Sequence, residues 1–266
     1  MEATGGTLDA LFNNGAFSMR GAVEDVPTAA LREIFETNFF GYHSLTVKAV
    51  AVMRKQGGRG HIIQHSSGVG LLAGAFNMCY CATKFALEAH SQSLRQELFG
   101  TDIKVVLLNI GLIKTAIREK SRAPYTKWIK TRVESSYFQN YYLRIIEPRL
   151  FGPYKKDPLE DEVDAVTRQV VKILETPVPW ARYYVTPLIW LVAFLVRVLS
   201  SNMLERVLLW TGMTTGGHCV KDKAAAREWF HPVVVLEGMT VLGFDLEHHA
   251  SGPHAHAHAC HKAEGT

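Results

Sequence analysis

The sequence predicts an α/β protein, a parallel sheet covered by helices, and three observations predict it. Short apolar runs, the kind that form buried strands, recur at residues 8–12, 61–65 and 103–109. Long stretches of helical periodicity separate them, from about residue 27 to 55 and from about 79 to 99. The connections are short turns, so the order β-α-β-α-β reads as parallel strands joined by helical crossovers.

The elements follow in order. The strand at 8–12 opens the chain almost at once, although a buried strand needs neighbours on both sides. In the helix at 27–55, Pro27 suits a first helical position and Gly57-Gly58 is the stop. Its apolar stripe is Leu31, Ile34, Phe35, Phe39, Tyr42, Leu45, Ala49 and Met53. The strand at 61–65, a loop, the helix at 79–99 and the strand at 103–109 come next. Residues 116–160, with Pro124, Pro148, Pro153, Pro158 and many aromatics, are expected to be an irregular, substrate-covering region. A helix at 161–175 carries Val163, Val166, Val170, Ile173 and Leu174 on one face, and 181–186 reads as a last strand.

The run L-I-W-L-V-A-F-L-V at 188–196, ended by Arg197, is shorter than the roughly 18–20 apolar residues that a spanning helix needs. It reads either as a buried helix of a C-terminal extension or as a surface that dips into a bilayer from one side. In the second reading Leu188, Trp190, Leu191, Phe194 and Leu195 face lipid, with Arg182, Arg197 and Arg206 near the head groups. From His248 onward the tail holds six of the twelve histidines in an Ala/Gly/Ser/Pro context. Such a run binds Zn²⁺ or Ni²⁺ adventitiously and has no second shell to fix ligands, so no metal site is expected. The three parts expected are therefore 1–186, 187–247 as a hydrophobic helical extension, and 248–266 as a disordered tail.

Hydrophobic residues make up 47% of the chain and charged residues 20%, enough for a core, and the formal net charge is only +4. No Lys/Arg-rich run points to a nucleic-acid partner. The four cysteines form no paired framework, and without a secretory leader at Met1 a reducing, cytoplasmic setting is expected. Cys79 and Cys81 are two apart on a helix, so they face different directions and read as packing residues rather than a metal pair.

Tyr80 and Lys84 carry the chemistry. Four apart at the start of a helix, they project from one face. A free phenol, with a pKa of about 10, is a poor acid at neutral pH, and an ammonium one turn away is expected to lower it. The pair then donates a proton to a nascent alkoxide, or accepts one in reverse. Alone, Y-x-x-x-K is weak, and a solvated tyrosine with a surface lysine explains it equally. Ser67 sharpens it, thirteen residues before Tyr80 and just past a strand, where open α/β sheets place ligands. Asn38 lies within an apolar helix stripe, and a buried amide there must find partners, as a helix-kinking or a site residue.

Together these residues resemble the short-chain dehydrogenase/reductase family, whose Asn-Ser-Tyr-Lys tetrad maps onto Asn38, Ser67, Tyr80 and Lys84 in order. The run L-D-A-L-F-N-N-G-A at 8–16 is similar to the family's strand ending in N-N-A-G, with Gly15 and Ala16 exchanged. The run I-G-L-I-K-T at 110–115 resembles its P-G-x-[VI]-x-T, matching at Gly111, Ile113 and Thr115 but lacking the proline. The likeness covers about residues 5–120 and continues more loosely to about 190. It implies a Rossmann-like sheet and an NADP- or NAD-dependent enzyme that interconverts an alcohol and a carbonyl on a small, apolar molecule. Tyr80 would protonate the carbonyl oxygen, Ser67 would bond the same oxygen, and Lys84 would hold the nicotinamide ribose. Asn38 would anchor a helix kink and a water leading to Lys84. Gly111, the Ile113 backbone and Thr115 would hold the carboxamide, and Asn14 would lie near the adenosine-side ribose. Helices 27–55 and 79–99 resemble the family's homodimer pair.

The G-x-G-x-x-A run at 68–73 imitates a phosphate loop, but no helix starts after it, so it reads as the loop carrying Ser67. The family's T-G-x-x-x-G-x-G is not found in the sequence. The resemblance therefore implies an N-terminally truncated sheet lacking three βα units, roughly 75–90 residues. In the family's strand order 3-2-1-4-5-6-7, the strand at 8–12 would be the fourth. The competing reading is a catalytically inactive remnant that acts through dimerisation or membrane association.

Overall fold

The computed structural model describes residues 5–157 and 159–210. Four strands, β1 (Ala10–Asn13), β2 (Arg59–Ser67), β3 (Asp102–Ile110) and β4 (Arg182–Tyr184), form one parallel sheet in consecutive order. Helices α1 (Thr28–Phe35) and α2 (Gly41–Lys55) join β1 to β2, and α3 (Met78–Glu97) joins β2 to β3. Between β3 and β4 lie α4 (Ile117–Trp128) and α5 (Asp164–Glu175), and α6 (Pro187–Val198) and α7 (Ser201–Trp210) follow the sheet. The α/β, Rossmann-like class is as expected, and the consecutive order is that of the family's last four strands. The remainder of the hydrophobic extension and the histidine tail lie outside the described residues.

Strand pairing sorts the side chains into two faces. Leu11, Ile62 and Val105 share a register row and pack with Val50, Met53 and Leu94 under α2 and α3. Phe12, Ile63 and Val106 share the next row and pack with Val166, Val170 and Ile173 of α5. Helices therefore cover both faces, which is why the central strands are apolar without alternation. Among the described residues β1 has no partner on its outer side.

Three elements differ from the sequence reading. The first strand begins two residues late because the Gln56 side chain takes both backbone groups of Leu8, donating to its carbonyl at 2.8 Å and accepting from its N–H at 2.9 Å. The helix at 27–55 is broken by a π turn, Glu36–Phe40, the sort of bulge often found at functional sites. Residues 116–160, expected to be irregular, are mostly helical: beyond α4 they form 3₁₀, α and π turns from Lys130–Ser135 to Glu147–Phe151. Burial outweighed the prolines there. Tyr125, Ile129 and Tyr142 are wholly buried and build a core with Met19, Ile34 and Phe76. Pro124 sits inside α4 regardless, and Pro148 occupies a first-turn position where its missing N–H is harmless.

Candidate active site

The carboxyl ends of β2 and β3, the π turn and the first turns of α3 converge on one place. Ser67 ends β2; its hydroxyl donates to the Ile110 carbonyl at 3.2 Å, and its side chain neighbours the Tyr80 phenol. Tyr80 and Lys84 lie one turn apart on α3, and both are buried. The Lys84 ammonium donates to the His65 carbonyl at 2.6 Å and lies 5.4 Å from the ring centre of Tyr80 and 5.5 Å from that of Tyr42.

Asn38 lies in the π turn, fully buried. Its amide nitrogen donates to the Phe17 carbonyl at 2.9 Å and to the Thr83 hydroxyl at 3.3 Å, and its oxygen accepts from the Phe17 N–H at 3.1 Å. The amide thus clamps the segment after β1 against α3 one residue before Lys84. The loop landing α3 is itself held in place. Phe76 takes φ 59°, a strained value for a side-chain-bearing residue, and its ring stacks on Tyr141 at 4.0 Å.

Burial governs the acid–base groups. It pushes the Tyr80 phenol up, with Cys81 adding to this, and only Ser67 works the other way. The expectation that Lys84 lowers Tyr80 is not met in this state, because Lys84 is itself pushed down to about 7 by burial, with Glu88 opposing. Burial also raises the Tyr42 phenol, whose hydroxyl finds no protein partner among the described residues. Cys79 and Cys81, which flank Tyr80 in the chain, are buried free thiols, and burial raises both.

The residues expected to hold the rest of a cofactor are less convergent. Asn14 is exposed, its Oδ1 2.5 Å from His65 Nδ1. Ile113 bridges to Asp161 and packs under the sheet with α5. Thr115 is exposed, and its hydroxyl accepts weakly from the Ile117 N–H at 3.4 Å. Gly111 is explained by packing: a Cβ there would meet Thr186 Oγ1 at 2.2 Å and Ile189 at 2.9 Å. The same Ile189 forbids a side chain at Gly68, where a Cβ would lie 2.3 Å from it. Gly68–Gly70 is a 3₁₀ turn, so the phosphate-loop imitation is the Ser67 loop, as read.

Sequence reasoning missed Glu88, Asn109 and Ser66. Glu88 is 7% exposed; it accepts from the Ser66 hydroxyl, from Asn109 Nδ2 at 2.6 Å, and from Arg182, with which it is ion-paired. Arg182, expected near lipid head groups, is partly buried and ion-paired with Glu88. The available signal was a charged residue four after Lys84, on the same stripe of α3.

Residues 1–126 match the short chain dehydrogenase family. The chain is 30% identical over 205 residues to the uncharacterized oxidoreductase YbbO of Escherichia coli (strain K12), covering 77% of this chain and 68% of that protein. It is 33% identical over 178 residues to retinol dehydrogenase 8 of Bos taurus, covering 66% of this chain and only 55% of that protein. Among solved structures, a short-chain dehydrogenase from Streptomyces avermitilis superposes with a TM-score of 0.54 at 22% identity, over 81% of this chain and 72% of that one. One from Burkholderia cenocepacia J2315, in complex with NADP, superposes with a TM-score of 0.56 at 18% identity, over 76% of this chain and 71% of that one. The chain belongs to the short chain dehydrogenase family. By family it is an NAD(P)-dependent dehydrogenase.

Proposed function

We propose that this chain interconverts an alcohol and a carbonyl on an apolar molecule, using NADP or NAD. The observation that carries the reading is the meeting of Tyr80, Ser67, Lys84 and Asn38 at the carboxyl end of the sheet. The site fits the nicotinamide end of such a cofactor. Among the described residues Lys84 donates to one acceptor, the His65 carbonyl, which leaves two of its three N–H groups for ribose hydroxyls. Ile113, through its backbone, and the Thr115 hydroxyl would hold the carboxamide, and Asn14 would lie toward the adenosine-side ribose. The pyrophosphate is not provided for, since the glycine loop is not in the sequence.

When bound, the cofactor supplies or accepts hydride. The chain's own part is the proton. Ser67 and Tyr80 hydroxyls point hydrogen bonds at the substrate oxygen, and Tyr80 donates its proton as negative charge gathers there. Lys84, once an anion or hydroxyls share its surroundings, holds positive charge beside the phenolate that remains. The partly buried aromatics Phe138 and Tyr141, in the aromatic-rich region after β3, support an apolar substrate.

A homodimer through α2 and α3 is supported by Leu45, Val47 and Phe85, which these helices leave exposed. Peripheral membrane contact from the cytoplasmic side is supported by α6, which exposes Trp190, Leu191, Phe194 and Val198. No described helix is long and apolar enough to cross a membrane. The test of the catalytic reading is oxidation of NADPH or NADH, followed at 340 nm with a panel of apolar aldehydes and ketones. Turnover abolished by Tyr80→Phe supports it. Turnover indifferent to that substitution overturns it, and no turnover with any pair favours the inactive, associating form.

A further inference from the structure

We infer that Glu88 is a positioning residue of this site: its buried carboxylate ties α3 to the ends of three strands and places a negative charge one helical turn from Lys84. The inference rests on the catalytic reading above, but its geometry stands on other contacts.

Tyr80, Lys84 and Glu88 form one stripe of α3 at four-residue spacing. From that stripe Glu88 reaches β2 through the Ser66 hydroxyl, β3 through Asn109 Nδ2 at 2.6 Å, and β4 through Arg182. Asn109 Nδ2 also lies 3.3 Å from the Ser67 carbonyl, so one relay of hydrogen bonds runs from the carboxylate to the backbone of the serine beside Tyr80. Packing allows little slack. A Cβ at Gly70 would lie 2.9 Å from Ser66 Oγ, 3.2 Å from Glu88 Cγ and 3.3 Å from Lys84 Cβ.

A buried ion pair is a weak device for stability, since apolar residues of equal volume commonly do as well or better. Its use here is position and sign of charge. The groups facing Lys84 are Tyr80 on its own helix, Tyr42 on α2 and His65 on β2. Burial holds both phenols protonated, and burial beside Lys84 disfavours a charged imidazole. Glu88 is then the anion that acts on Lys84 among the described residues, and its own charge is shared with Arg182.

The experiment reads Lys84 directly in the 266-residue chain, by NMR titration of lysine labelled with ¹³C at Cε, with the Lys84 signal assigned by Lys84→Arg. Glu88→Gln keeps the size and removes the charge, and should lower the Lys84 midpoint by roughly one unit, tenfold in its dissociation constant. Arg182→Gln leaves the carboxylate without its competing cation and should raise the midpoint. Opposite shifts from the two variants are not expected of a merely structural pair. An unchanged midpoint in folded Glu88→Gln overturns the inference; if that variant does not fold, an unchanged midpoint in Arg182→Gln does so. No cofactor or turnover enters the measurement, so its failure is distinct from a failure of the dehydrogenase reading, which Tyr80→Phe decides.

Discussion

A buried phenol is a weaker acid than a free one, and Tyr80 carries that handicap, relieved in part by Ser67. Its value lies in placement, with the proton held beside the hydroxyl that would bond the same substrate oxygen. Tyr80→Phe deletes that proton and should cut carbonyl reduction by roughly 10²–10⁴-fold with little change in cofactor affinity, measured as steady-state turnover against cofactor titration. Asn38 answers a different need. Asn38→Ala leaves the partly buried N–H and carbonyl of Phe17 without their partner. It should cost about 1–3 kcal/mol, read as a lower urea midpoint at unchanged slope. A variant as stable as the parent would mean that the clamp contributes nothing.

Helix α6 shows how one element serves two surfaces. Ile189 and Ala193 turn inward onto Tyr184 and Leu71, and the glycines at 68 and 111 make room for Ile189. The opposite side presents Trp190, Leu191 and Phe194, while Arg197 turns back to donate to the Tyr184 hydroxyl at 2.9 Å. A helix of twelve residues is about 18 Å long, well short of a hydrocarbon core of about 30 Å. The chain is therefore expected to float with phospholipid vesicles and to be released by carbonate. Trp190→Glu with Phe194→Glu should abolish flotation and leave the circular dichroism spectrum unchanged. Resistance to carbonate would point to a spanning segment instead.

At the scale of the whole molecule, no strand among the described residues pairs with the outer edge of β1, and the sequence offers no glycine loop. The residues proposed to face the cofactor lie mostly toward its nicotinamide end, so calorimetric titration of the chain with NADP and NAD should find weak binding. A micromolar dissociation constant for either would show that another segment holds the pyrophosphate. Stability should also depend on pH through Lys84. Its folded pKa, about 7, lies below the unfolded value of about 10.4. Below pH 7 both states carry the proton and the full cost of burying it is felt. Between these values the unfolded chain holds a proton that the folded chain has released, so stability rises with pH. Relative to Lys84→Met, the unfolding free energy should gain roughly 2–3 kcal/mol from pH 7 to 9.5. Parallel curves for the two proteins would contradict the buried placement.

Periodicity and spacing alone determined the parallel α/β class, the helices that carry Asn38, Tyr80 and Lys84, and the strand that delivers Ser67. These are local signals: a strand or helix stripe is written within a dozen residues, and a four-residue step places two side chains on one face whatever surrounds them. What only the tertiary structure decided is whatever depends on partners distant in the chain. Gln56 took the backbone of Leu8 and shortened β1. Tyr125 and Tyr142, buried against Phe76 and Ile34, made helices of a proline-bearing stretch that read as irregular. Arg182, 94 residues beyond Glu88, turned inward to it. Desolvation, not Lys84, set the direction of the Tyr80 shift, because the cost of burying a charge depends on everything packed around it, and no spacing in the sequence records that.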